Sequence, residues 1–173
     1  IPVNKEEAIK YYKMAINKGN SYAMYSYASI LFHGDGVITN KEEAIKYYKM
    51  AIDEGNSDAM YIYASILFHG DGVIANKEEA IKYYKMAIDK GNSDAMYSYA
   101  VMLFNGDGVP VDKEEAKKYY KMAIDEGNSE AMLDYAILLL DKEYEQENEE
   151  EWINYVKLSI DNGCADAMFF YAT

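Results

Sequence analysis

Arginine does not occur in this 173-residue chain: all 17 basic residues are lysines, set against 30 acidic ones. A net charge of −13 disfavours nucleic acid, whose binding rests on neutralising phosphates. It equally disfavours an anionic membrane surface. Without arginine there is also no planar guanidinium to grip phosphate or carboxylate through two parallel hydrogen bonds. The single cysteine, Cys164, excludes an internal disulfide framework and fits a reducing compartment, so the expected location is the cytoplasm. No apolar run approaches the roughly 18 residues that span a bilayer. No signal peptide is visible, and the opening Ile1-Pro2 reads as that of a fragment.

What the chain does have is repetition. Lys5-Glu6-Glu7-Ala8 recurs at Lys41, Lys77 and Lys113, a step of 36 residues each time. All 11 glycines fall into two series with that step: Gly19, Gly55, Gly91, Gly127 and Gly163, and the Gly-Asp-Gly-Val loops starting at Gly34, Gly70 and Gly106. Between them lie two helical stretches per unit. In Lys41 to Glu54, Ala44, Tyr48, Ala51 and Ile52 share one face while Glu42, Lys46, Lys49 and Asp53 share the other, as in an amphipathic helix. Asn40 and Glu43 stand in capping-box positions before it, and Gly55 ends it in the left-handed conformation. The other stretch runs from Ser57, its expected N-cap, to His69 and is apolar on nearly all sides, which predicts a helix sandwiched between neighbours. Strand-like alternation is absent throughout.

A 36-residue hairpin reading A-x-Y-x-Y-A-x-x-L-x-x-G-x-G-V and then E-A-x-x-Y-Y-x-x-A-I-x-x-G resembles the Sel1-like repeat family, cousins of the tetratricopeptide repeats. The chain has Tyr47-Tyr48 where the family commonly has Trp-Tyr, and Ala64 in place of a small Gly. The resemblance divides the chain into a second helix of a preceding repeat (1–19), repeats at 20–55, 56–91 and 92–127, a divergent repeat at 128–163, and the start of a further one at 164–173. It implies an all-α fold, a right-handed α-solenoid whose first helices line a concave groove. Members are typically adaptors or scaffolds and not enzymes.

On that reading the candidate partner-binding residues are those the first helices turn toward the groove. They are Tyr25, Ser29, Phe32 and His33; Asp58, Tyr61, Ser65, Phe68 and His69; and Asp94, Tyr97, Val101, Phe104 and Asn105. An aromatic shelf with acidic edges suits a helix or extended peptide carrying apolar anchors and basic residues. The alternative is that these rings pack against adjacent helices. In the fourth repeat Lys142-Glu143-Tyr144-Glu145 replaces the Gly-Asp-Gly-Val loop, Asn148 and Glu151 keep the capping-box slots, and Trp152 stands where Ala116 does. Its acidic run, including Glu143, Glu145, Glu147, Glu149 and Glu150, reads either as a solvated loop or as a docking site for a basic partner.

Other chemistry finds no equipment. Each Gly-Asp-Gly-Val loop has one Asp, too few oxygens for calcium, and no Lys-Ser/Thr follows to hold phosphate. The loop instead supplies a helix cap, a turn and a valine plug for the core. His33 and His69 stand one repeat apart, too far for a shared metal, and Cys164 lies more than two repeats beyond His69. No metal, cofactor or small-molecule substrate is expected. The expected function is a non-catalytic scaffold for a protein or peptide. The alternative is a structural spacer whose open ends stack on other copies.

Overall fold

The structure, a computed structural model, describes residues 5–139 and 149–172. Among the described residues there are ten helices and no strand. They fall into two compact units, residues 1–90 and 91–173. The first holds α1 (Lys5–Ile16), α2 (Ser21–His33), α3 (Lys41–Asp53), α4 (Ser57–His69) and α5 (Lys77–Ile88). The second holds α6 (Ser93–Asn105), α7 (Lys113–Asp125), α8 (Glu130–Leu139), α9 (Glu149–Asp161) and α10 (Ala165–Ala172).

After Gly19, Gly55 and Gly127 one asparagine closes one helix and opens the next. The Gly55 amide donates to the Ile52 carbonyl (2.8 Å) and the Asn56 amide to Ala51 (3.0 Å), a Schellman closure that needs the positive φ of 80° at Gly55. The side chain of the same Asn56 then accepts from the Ala59 amide at 2.8 Å and caps α4. The N-cap is therefore Asn56 and not Ser57, which is already helical. Asn20 and Asn128 repeat the arrangement. At α3, Asn40 Oδ1 accepts from the Glu43 amide (3.1 Å) as a capping box requires. The Asn40 amide is already spent on the Leu31 carbonyl (2.8 Å), however, so the Glu43 carboxylate accepts from Asn40 Nδ2 instead (3.0 Å).

In the first unit α2 packs on α3, α4 on α5, and α1 and α3 pack on the helices that follow them. Alanines at the crossings (Ala28, Ala44, Ala51, Ala59, Ala64, Ala80) are fully buried, which lets the backbones approach and leaves the gaps to Tyr48, Tyr63 and Leu67. The second unit repeats the scheme in α6–α7 and α8–α9. There Tyr135, Leu138, Leu139 and Val156 are its largest fully buried apolar side chains. The loops also have a structural task. Lys41 reaches from the start of α3 to pair with Asp71, and Lys5 pairs with Asp35. A Cβ on Gly72 would meet the Lys41 side chain at 3.1 Å. The loop valines, expected as core plugs, are only half-buried.

Candidate functional site

Each first helix of the first unit carries an aromatic side chain braced from behind. The Tyr25 ring lies 6.1 Å from Tyr48, and the Tyr61 ring 6.1 Å from Tyr84. Ser29 is a hydrogen-bond partner of the Tyr48 phenol, and Ser65 of the Tyr84 phenol. Burial pushes both phenols up to about 12, and the serine contacts offset only part of that shift. On the solvent side, His33 Nδ1 lies 3.0 Å from the Ser29 carbonyl and His69 Nδ1 2.9 Å from the Ser65 carbonyl. A carbonyl only accepts, so Nδ1 carries the proton in both, and Nε2 is the nitrogen left to act as acceptor.

These contacts decide how much of the expected shelf is open. Tyr25, Ser29, Tyr61, Ser65 and Asp58 are half-buried, while His33 and His69 are exposed. Phe32 is buried: Lys41 Nζ sits 5.0 Å over its ring and Tyr48 packs at 6.3 Å. Lys77 Nζ covers the half-buried Phe68 at 4.9 Å. The rings pack their faces against the second helices, and the edges of Tyr25 and Tyr61 with the Ser-His pairs remain on the surface.

In the second unit the same positions are wired differently. Asp94 is exposed and accepts from Asn128 Nδ2 at 2.9 Å. Tyr97 packs on Tyr120 (6.1 Å) and donates its hydroxyl proton to Asp134 at 2.9 Å. Burial pushes the Asp134 carboxyl above its usual value, against the opposing pull of the Tyr97 hydrogen bond. It also raises Tyr120 strongly, with the Asp134 charge adding to it. Val101 and Phe104 are half-buried and Asn105 exposed, so no histidine edge forms there. Beyond them, Lys121 Nζ lies 5.3 Å over the Tyr135 ring and 3.0 Å from Glu151, and Glu151 also accepts from the Tyr135 hydroxyl at 3.1 Å. The capping-box slot of Glu151 therefore holds a residue used for tertiary pairing.

Sequence reasoning missed Asp134 and the lysine covers. The signal for Asp134 was present: its repeat counterparts are Ser26, Ile62 and Ser98, so a carboxylate in that helix is the outlier. Of the acidic run, Glu143, Glu145 and Glu147 lie outside the described residues, and Glu149 and Glu150 open α9 with Glu150 exposed. Among the described residues no three His, Cys, Asp or Glu side chains gather as metal ligands, and no helix is long and apolar enough to cross a membrane.

The profile of the Sel1 repeat matches residues 1–20, 21–56, 57–92 and 93–128. No curated protein matches the chain at a significant level. Among solved structures, the chain is similar to a Sel1 repeat protein from Oxalobacter formigenes, with TM-score 0.87, 28% identity, and 94% of this chain and 66% of that one covered. It is also similar to a protective antigen present in uropathogenic Escherichia coli strains that displays an SLR fold (TM-score 0.84, 22% identity, 98% and 36% covered). A third likeness is to an immunity protein from Pseudomonas aeruginosa (TM-score 0.65, 22% identity, 94% and 60% covered). The chain thus spans just under two thirds of the first relative and about a third of the second. The last two likenesses carry the fold alone.

Proposed function

This chain belongs to the Sel1 repeat family, and on that premise we propose that it is a non-catalytic interaction array that holds a partner peptide or helix along the exposed edge of its first helices. Sel1 repeat proteins generally bind other proteins. The observation that carries the proposal is the recurrence, on α2 and α4 of one unit, of the same exposed Ser-His pair backed by a braced tyrosine. A repeated, preorganised edge costs little ordering on binding, and its aromatic backing offers apolar contact beside a hydrogen-bond acceptor. The acidic balance favours a partner with basic and apolar residues.

A photo-crosslinking amino acid placed singly at His33, His69, Met50 or Met86 tests this in the intact protein. The first two positions are expected to capture the partner, and the exposed second-helix positions Met50 and Met86 are expected to give none. Adducts from Met50 and Met86 with none from His33 and His69 would move the binding face to the second helices. These sites are preferable to Tyr61 and Phe68, because truncating rings that brace Tyr84 and carry Lys77 also loosens the packing.

A further inference from the structure

The outward stripes of two first helices in the second unit meet at one carboxylate. On α6, Tyr97 and Val101 are half-buried; on α8, Asp134 is half-buried and Ile137 is 40% exposed. The Tyr97 hydroxyl reaches across from α6 and donates to Asp134 Oδ2 at 2.9 Å. Among the described residues the other oxygen, Oδ1, has no partner, and no lysine pairs with this carboxylate.

The fold does not ask for a charge at this position. Its repeat counterparts are Ser26, Ile62 and Ser98, a hydroxyl or an alkyl group. The Tyr97 phenol needs an acceptor, and an asparagine carbonyl would serve it as a carboxylate does. Burial meanwhile works against the charge and raises the carboxyl above its ordinary value. A charged group kept where it weakens the fold marks a position held for something other than folding.

The surroundings say what the charge can meet. One carboxylate supplies too few oxygens for a metal ion, and among the described residues no ligand cluster forms. Val101 stands four residues after Tyr97, and Ile137 three after Asp134, so the next turn of both helices is aliphatic. In the first unit the place of Val101 is taken by Ser29 and Ser65, beside His33 and His69. A carboxylate next to an aliphatic step is therefore particular to α6 and α8.

We propose that this face takes a basic residue of the partner: a lysine or arginine places its charge on Asp134 Oδ1, while an aliphatic side chain on the same face of the partner segment packs on Val101 and Ile137. Partner binding along the first helices is the premise, and the addition is a sequence requirement on the partner. The incoming cation compensates a charge that has already lost part of its water, and Tyr97 holds the carboxylate in place, so little ordering is needed. An acidic segment is turned away by the same group.

Selection of random dodecapeptides on the intact chain is the test. Enriched peptides are expected to carry a lysine or arginine spaced from Val, Ile or Leu as on one face of a strand or helix. Their affinity is expected to fall about tenfold in Asp134→Asn and to stay level in Asp125→Asn, which removes the same charge from an exposed position of α7. Binders without a basic residue, or binders that hold Asp134→Asn as tightly as the parent, would overturn the assignment of Asp134 and leave the interaction array standing. A library without any binder would overturn the array reading and this assignment with it. Circular dichroism checks each variant first. Where Asp134→Asn has lost helicity, Asp134→Ser, with the residue type of Ser26 and Ser98, replaces it under the same criteria.

Discussion

The first unit, residues 1–90, and the second, residues 91–173, use the same backbone plan and differ in how they satisfy polar groups. In the first, each buried phenol on a second helix is met by a serine one helix away, and a histidine closes the outer edge. In the second, Val101 and Ile137 stand where those serines do, and carboxylates meet first-helix phenols instead: Asp134 accepts from Tyr97, and Glu151 ties Lys121 to Tyr135. One repeat geometry therefore tolerates two solutions to the same problem, that of a tyrosine hydroxyl drawn out of water by packing. The serine contacts add no charge, and the carboxylates make stability depend on pH.

The largest test of this difference compares Tyr63→Ala with Tyr135→Ala. Both rings are buried edge-on to a neighbour, so each truncation is expected to cost about 3–5 kcal/mol in urea titration. Tyr135→Ala should be the costlier of the two, because it also removes the hydrogen bond to Glu151, while the loss of a ring beneath a lysine, Lys49 or Lys121, is common to both. Equal losses would mean that the charged wiring adds nothing to the packing.

A smaller effect separates the two carboxylates by pH. Burial raises Asp134 above its ordinary value of 3.8, so the folded chain holds that proton more tightly than the unfolded one. Its contribution is greatest below that value and is lost as pH rises through the folded pKa. Glu151 is the reverse: burial pulls it up, but the Lys121 ammonium and the Tyr135 hydroxyl outweigh this and hold it below 4.5. Its contribution is present at neutral pH and lost as pH falls through the lowered value. Glu151→Gln is expected to cost about 1 kcal/mol at pH 7, and this cost should vanish under acid. Asp134→Asn, which keeps an acceptor for Tyr97, should be neutral or stabilising at pH 7 and indistinguishable from the parent near pH 3. Melting curves across pH 3–7 check both slopes, and slopes of the same sign would refute the contrast.

The smallest expected change is a gain. Ser159 occupies the position that is alanine at Ala51, Ala87 and Ala123, is fully buried, and among the described residues offers its hydroxyl no partner. Ser159→Ala should stabilise by about 0.5–1 kcal/mol, a rise in melting temperature of roughly 1–4 °C. A loss of stability would show that the hydroxyl is satisfied after all.

Much of this molecule is legible in its sequence because its signals are local and repeated. The Lys-Glu-Glu-Ala starts, the glycine series and the 36-residue step place the helices and their order, since capping and positive φ are properties of a few neighbouring residues. Even so, Ser57 looks as good a cap as Asn56 by residue type alone. The choice falls to Asn56 because the same residue also closes α3. The candidate face was only half legible. Helical spacing puts Tyr61, Ser65 and Phe68 on one stripe, but it carries no information about Lys77, nine residues beyond Phe68, covering that ring.

By itself the sequence determined the class of fold, the family, the repeat length and the absence of arginine that narrows the range of partners. All of these are read along the chain. The tertiary structure decided which edge of each tyrosine stays wet, that Glu151 serves a lysine and a phenol, and that Lys41 and Lys77 cover the Phe32 and Phe68 rings. The reason is physical. Exposure and pairing depend on what approaches from another helix, and that is a property of packing which helical periodicity does not encode.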